Sequence, residues 1–413
     1  MRPGFFASRW GIVLAGISIG AVAALLQKLG NPANMGVCVA CFQRDIAGAL
    51  GLHRAAVAQY LRPEIPGFVL GSLAAALAFR EFRPRGGSAP LARFLLGGFA
   101  MIGALVFLGC PWRALLRLAG GDLSALLGLA GLVFGIAIGV RFLRSGYSLG
   151  RSLPARAAVG WIFPLFMTGI VLLIAFRPAF IFSSETGPGS LHAPVLASLA
   201  AGLLIGALAQ RSRFCTMGAV RDLFVARDLH LFSGVAALLV TAFLVNVIAG
   251  QFQAGFRAQP VAHSNHLWSF LGMTLAGLAF TLAGGCPGRQ LFMAGEGDGD
   301  AGLFALGMIS AAAFAHNFGL AGAPDKIVEG VVQVGGPAVP GQVAVLLGLV
   351  VCVALGFAMR ERWEESEAAL QRAGTGTGAR RGTGMGAGTG MGTGTGTARM
   401  REAVDAARKG GSR

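Results

Sequence analysis

The chain has 413 residues, of which 54% are hydrophobic and only 13% charged, and 65 are glycine. This excludes an ordinary soluble domain and fits a polytopic membrane protein whose helices approach one another through small residues. The net charge of +16 does not point to nucleic acid, because the basic residues flank apolar segments, where orientation in the bilayer and anionic lipid headgroups account for them.

Stretches long enough to cross about 30 Å of hydrocarbon lie near residues 10–29, 65–79, 91–109, 122–140 and 157–176. A second set lies near 195–210, 231–249, 266–284, 299–317 and 340–359. The fold expected is all-α, with about ten transmembrane helices, five in each half. The first segment is too long for a cleaved signal peptide, no small-residue cleavage site follows it, and it reads as a retained span. Four shorter segments fall between these spans: NPANMGVCVACFQRDIAGAL, CPWRALLRLAGG, RSRFCTMGAVRDLFVA and CPGRQLFMAGEG. Irregular backbone at membrane depth is tolerated only where protein covers it or it lines a cavity. These segments are therefore expected to be four re-entrant half-helices. Past the last span the chain turns to Gly-Thr alternation with scattered arginines, which offers nothing to bury and predicts a disordered cytoplasmic tail over 361–413.

The two halves repeat one another. Cys38 stands seven residues before Asp45 and Cys215 seven before Asp222; Cys110 stands twelve before Asp122 and Cys286 twelve before Asp298. Arg44 thereby corresponds to Arg221, and Arg113 to Arg289. Two copies of one unit are expected, over 1–180 and 190–360. With five spans in each, the second copy enters the membrane inverted, and the substrate site of such a transporter lies between the copies. Placing the N-terminus in the cytoplasm puts 25 of the 34 Lys and Arg inside, as the positive-inside rule requires. Both termini are then cytoplasmic.

Pro111 and Pro287 favour the first position of a helix, which makes Cys110 and Cys286 the capping residues of two half-helices. A helix N-terminus is positive and attracts anions, while a thiol is a weak donor carried on a soft, polarizable atom. Cys38, Cys110, Cys215 and Cys286 thus suit a large, soft chalcogen anion, with Cys38 and Cys110 approached from outside and the other two from inside. Arg44, Arg113, Arg221 and Arg289 would complement its charge, with Asp45 and Asp222 orienting neighbouring arginines. A bland reading stands beside each: the arginines as structural ion pairs at the membrane interfaces, and the cysteines as small buried hydrophobes, which is the reading preferred for Cys352. His316 and Asn317 read as a helix–helix hydrogen-bonding pair. No zinc site is expected, since the one C-x-x-C, Cys38 and Cys41, has no partner motif. No phosphate-binding G-x-x-x-x-G-K-[ST] loop is present in the sequence, so no cofactor is expected and the route is passive or ion-coupled.

The segments NPANMGVCVACFQRDIAGALGLHRA, GCPWRALLRLAGGDL, AQRSRFCTMGAVRDL, GGCPGRQLFMAGEG and AAAFAHNFGLA resemble the YeeE/YedE sulphur-transport family, and within it the branch named for selenium transport. The resemblance covers most of residues 10–360. It implies an hourglass-shaped inner-membrane uptake protein, not an enzyme, in which cysteines near a constriction pass a sulfur or selenium species, thiosulfate being characteristic of the better understood branch. Carried over by position, the motif cysteines are Cys38, Cys110, Cys215 and Cys286. Two other readings stay open: a membrane thiol-redox protein using Cys38 and Cys41 as a dithiol, and a channel-like scaffold delivering sulfur or selenium to a cytoplasmic acceptor protein.

Overall fold

The computed structural model describes residues 5–360; the expected tail over 361–413 lies outside them. The first half comprises α1 (Arg9–Lys28), α2 (Val39–Ala49), α3 (Glu64–Ala78), α4 (Pro90–Phe107), α5 (Pro111–Ala119), α6 (Ala125–Arg144) and α7 (Ala157–Phe176). The second comprises α8 (Val195–Ser212), α9 (Thr216–Ala226), α10 (His230–Ile248), α11 (His266–Ala283), α12 (Pro287–Gly295), α13 (Gly299–Asn317) and α14 (Val339–Ala358). Among the described residues the strands are short pairs in the connections, such as the hairpin of Lys326–Val328 with Val331–Gln333. The protein is an all-α polytopic membrane protein.

Among the described residues nine segments are long and apolar enough to span a membrane, and Glu64–Ala78 is a shorter apolar helix. The expected ends agree closely with the observed ones except at α6, expected from 122 and observed from Ala125. Asp122 explains the shift. Its carboxylate accepts from Arg117 Nε at 2.6 Å and from Ser124 N at 3.0 Å, so it closes the turn after α5 and does not begin α6.

The four expected half-helices are α2, α5, α9 and α12. All eleven residues of α2 are buried, including Gln43, Arg44 and Asp45. A helix carrying those side chains could not face lipid, and it is shielded on every side by other helices. In α5 and α12 nearly every residue is buried as well. Only α9 keeps its second half exposed.

The long helices pack in pairs that exchange between halves. Helix α1 lies on α10 and its counterpart α8 on α3, while α6 lies on α11 and its counterpart α13 on α4. Each pair closes on glycine. At Gly16 a Cβ would stand 2.0 Å from the carbonyl oxygen of Gly234, and at Gly20 one would stand 2.4 Å from that of Leu238. Both positions advance together, so α1 and α10 run parallel. Helix α4 and its counterpart α11 also touch, with Gly103 against Gly272 and Ala276, and Gly272 against Val106. Here one position rises as the other falls, so the two counterparts run antiparallel, the relation that an inverted copy would have.

Candidate functional site

Each of the four short helices begins at a cysteine. Cys38 caps α2 and its sulfur accepts from Cys41 N at 3.4 Å; Cys215 caps α9 and accepts from Gly218 N at 3.2 Å. Cys110 and Cys286 cap α5 and α12, each followed by a proline at the first helical position, with no cap bond from the thiol itself. The prolines revealed two of these caps in the sequence. Cys38 and Cys215 have no such marker, and only the backbone shows that they do the same.

The cysteines come together two by two. Cys38 and Cys110, from different helices of the first half, place their sulfurs 3.8 Å apart. Cys215 and Cys286 are likewise neighbours, and the Thr216 hydroxyl lies beside Cys286. All four are buried. Cys41 lies beside Cys38 as well, and its thiol donates to the Leu108 carbonyl at 3.8 Å and receives Arg113 Nη1 at 3.7 Å. Cys352 is buried inside α14 as a small apolar residue would be.

The four predicted arginines do not converge as the cysteines do. Arg113 is fully buried and its guanidinium is met by carbonyls: those of Asn34, Leu108 and, across in the second half, Pro260 and Val261, the last at 2.9 Å. Among the described residues it has no carboxylate within ion-pair distance, so its charge is solvated by dipoles but not cancelled. Arg44 turns to Asp45 at 2.6 Å, and Asp45 also holds Arg62 at 2.8 Å. Arg221 pairs with Asp222 at 2.8 Å, the two side chains being 35% and 25% exposed, which puts them on the rim. Arg289 is drawn to Glu296 at 3.2 Å, where Arg213 also arrives at 3.1 Å. Glu296 occupies the position corresponding to Gly120, so the carboxylate is peculiar to the second half. Arg85 also reaches it at 3.7 Å, so one carboxylate serves three arginines on the inner side, whereas Arg113 on the outer side meets carbonyls.

Trp112, two residues after Cys110, reaches into the second half. Its ring meets Phe68 at a centroid distance of 6.0 Å, Phe214 at 5.7 Å and Phe292 at 6.1 Å. Its counterpart in the second half is Gly288, and the indole fills the space beside that glycine. Sequence reasoning passed over Trp112. The signal was there in the mismatch between GCPWR and GCPGR, but a search for what the copies share discards what they do not. His316 lies against His53 with ring centroids 4.6 Å apart and planes tilted by 32°, and Asn317 donates to the Leu52 carbonyl at 2.9 Å.

A family model described as Sulphur transport matches residues 211–397, from the end of α8 into the tail. Two curated proteins are similar over shorter stretches. The thiosulfate transporter TsuA of Escherichia coli (strain K12) is 33% identical over 104 residues, 25% of this chain and 29% of that protein. The thiosulfate transporter TsuA of Spirochaeta thermophila (strain ATCC 700085 / DSM 6578 / Z-1203) is 30% identical over 99 residues, 24% of this chain and 29% of that protein. The match thus spans less than a third of the length of either relative. Taken with the cysteine-capped half-helices, these similarities support the YeeE/YedE sulphur-transport family.

Proposed function

We propose that this protein is a transporter, not an enzyme, which takes a small sulfur- or selenium-containing anion across the bacterial inner membrane by passing it between thiols at half-helix N-termini. The observation that carries the reading is that all four short helices start at a cysteine, and that the cysteines neighbour one another in two pairs. Helix N-termini supply positive potential. Arg113 adds a buried charge with no carboxylate at ion-pair distance among the described residues, and the thiols add soft, weak contacts that release as readily as they hold. In this reading residues 1–180 and 190–360 are inverted copies with the path between them, and both termini face the cytoplasm, as the arginine distribution favours. Cys38 and Cys110 receive the anion from outside, and Cys215 and Cys286 pass it inward. The relatives' names favour thiosulfate; the motif resemblance favours a selenium species.

Uptake of radiolabelled thiosulfate and selenite into proteoliposomes tests this. Cys110→Ser and Cys286→Ser should each lower flux about tenfold or more, if each thiol makes a charge-assisted contact with the anion. Cys41→Ser should retain more flux than either. Wild-type flux in all four single variants at Cys38, Cys110, Cys215 and Cys286 would refute the thiol path. Loss in Cys41→Ser alone would favour the dithiol redox reading.

A further inference from the structure

The aromatic cage satisfies every part of Trp112 but one. Its side chain is 1% exposed, and three phenylalanines pack its apolar surface, yet its Nε1–H has no acceptor among the described residues. Buried indoles usually find one, and a buried donor left without a partner is destabilising. A Cβ on Gly288 would lie 3.2 Å from Trp112 Cζ2 and 3.4 Å from Cε2, the ring carbon bonded to Nε1. That part of the indole therefore lies against the first turn of α12, where the N–H groups of Gly288 and Arg289 have no carbonyl within their own helix. Thr216, 3% exposed, adds a hydroxyl beside the Cys286 thiol that has no oxygen or nitrogen partner among the described residues.

We propose that Trp112 contacts the transported anion and selects for oxyanions: its indole N–H, with the Thr216 hydroxyl and the first turn of α12, donates to the oxygens of a sulfur or selenium oxyanion while the Cys286 thiol meets its softer part. This deepens the transport reading and rests on it. A residue of the first half thereby completes the site of the second, and it can do so because the second half carries glycine at the matching position. An anion without oxygens, such as hydrosulfide, offers these donors only a single, weaker sulfur acceptor.

The test uses the full chain in proteoliposomes, with radiolabelled thiosulfate and hydrosulfide as substrates. Trp112→Phe keeps an aromatic ring and removes the donor; 3-benzothienylalanine at position 112 keeps the indole shape as well, and serves if the phenylalanine variant fails to assemble. The half-saturating thiosulfate concentration should rise about tenfold, with hydrosulfide flux nearly unchanged. Equal losses for both anions, or none for either, would show that Trp112 only fills space and would overturn the proposal. Wild-type protein that carries hydrosulfide but not thiosulfate would overturn it too, while leaving chalcogen transport standing. Wild-type protein that carries neither, nor selenite, would remove the transport reading itself.

Discussion

Asp45 accepts Arg44 on one carboxylate oxygen and Arg62 on the other, with the side chains of Arg62 and Asp45 fully buried. Arg62 is further held by the carbonyls of Leu191 and Pro188 at 3.0 and 2.7 Å, which ties α3's leading turn to the segment before α8. Removing the shared carboxylate leaves two buried cations facing each other, and breaking a buried pair typically costs about 3–5 kcal/mol. Asp45→Asn should therefore lower the thermal midpoint in detergent sharply. Its counterpart Asp222 pairs with a third-exposed Arg221, and an exposed pair is worth about 0–1 kcal/mol, so Asp222→Asn should leave the midpoint nearly unchanged. Equal shifts in the two variants would contradict this account. The sequence marked both Arg-Asp steps as equivalent by position. It held no sign that one was enclosed and the other on the rim, because enclosure comes from helices far away in the chain.

At the scale of elements, packing rests on glycines that let backbones touch. A methyl group on Gly103 would stand 2.4 Å from the Gly272 carbonyl oxygen and 2.9 Å from Ala276 N. Both are helical backbone atoms that cannot rotate away. Gly103→Ala should destabilise the α4–α11 contact by about 1–3 kcal/mol, as overpacking does. Gly169, in α7, has nothing within 4 Å of its would-be Cβ, and Gly169→Ala should gain about 0.5–1 kcal/mol from helix propensity. Thermal unfolding of the two variants in the same detergent distinguishes them, and a stable Gly103→Ala would mean that the helices are not seated so closely. Glycine abundance was legible as a sign of close packing, but which glycine meets which partner was not. The starts and ends of the helices were legible because apolar runs and turn residues are local properties. The start of α6 was misjudged where Asp122 closes a turn by binding Arg117 and Ser124.

Over the whole molecule, the exchange of helix partners between halves and the antiparallel contact of α4 with α11 favour a path between inverted copies, with its ends on opposite sides of the membrane. If so, a membrane-impermeant thiol reagent should reach Cys38 and Cys110 only from the periplasmic face and Cys215 and Cys286 only from the cytoplasmic face. Because all four are buried, labelling should be slow. Right-side-out and inverted vesicles compare the two faces, and modification of Cys215 from outside with protection of Cys38 would reverse the proposed orientation. Sequence alone determined the membrane class, the spans, the half-helices and the doubled Cys and Arg positions, because hydropathy and spacing are written along the chain. Only the tertiary structure decided that Cys38 meets Cys110 across helices, that Arg289 reaches Glu296 while Arg113 meets carbonyls, and that Trp112 packs on Phe214 and Phe292 of the second half. Those outcomes depend on how helices far apart in the chain are brought side by side, and helix packing is set by the fit of whole surfaces, which no local pattern records.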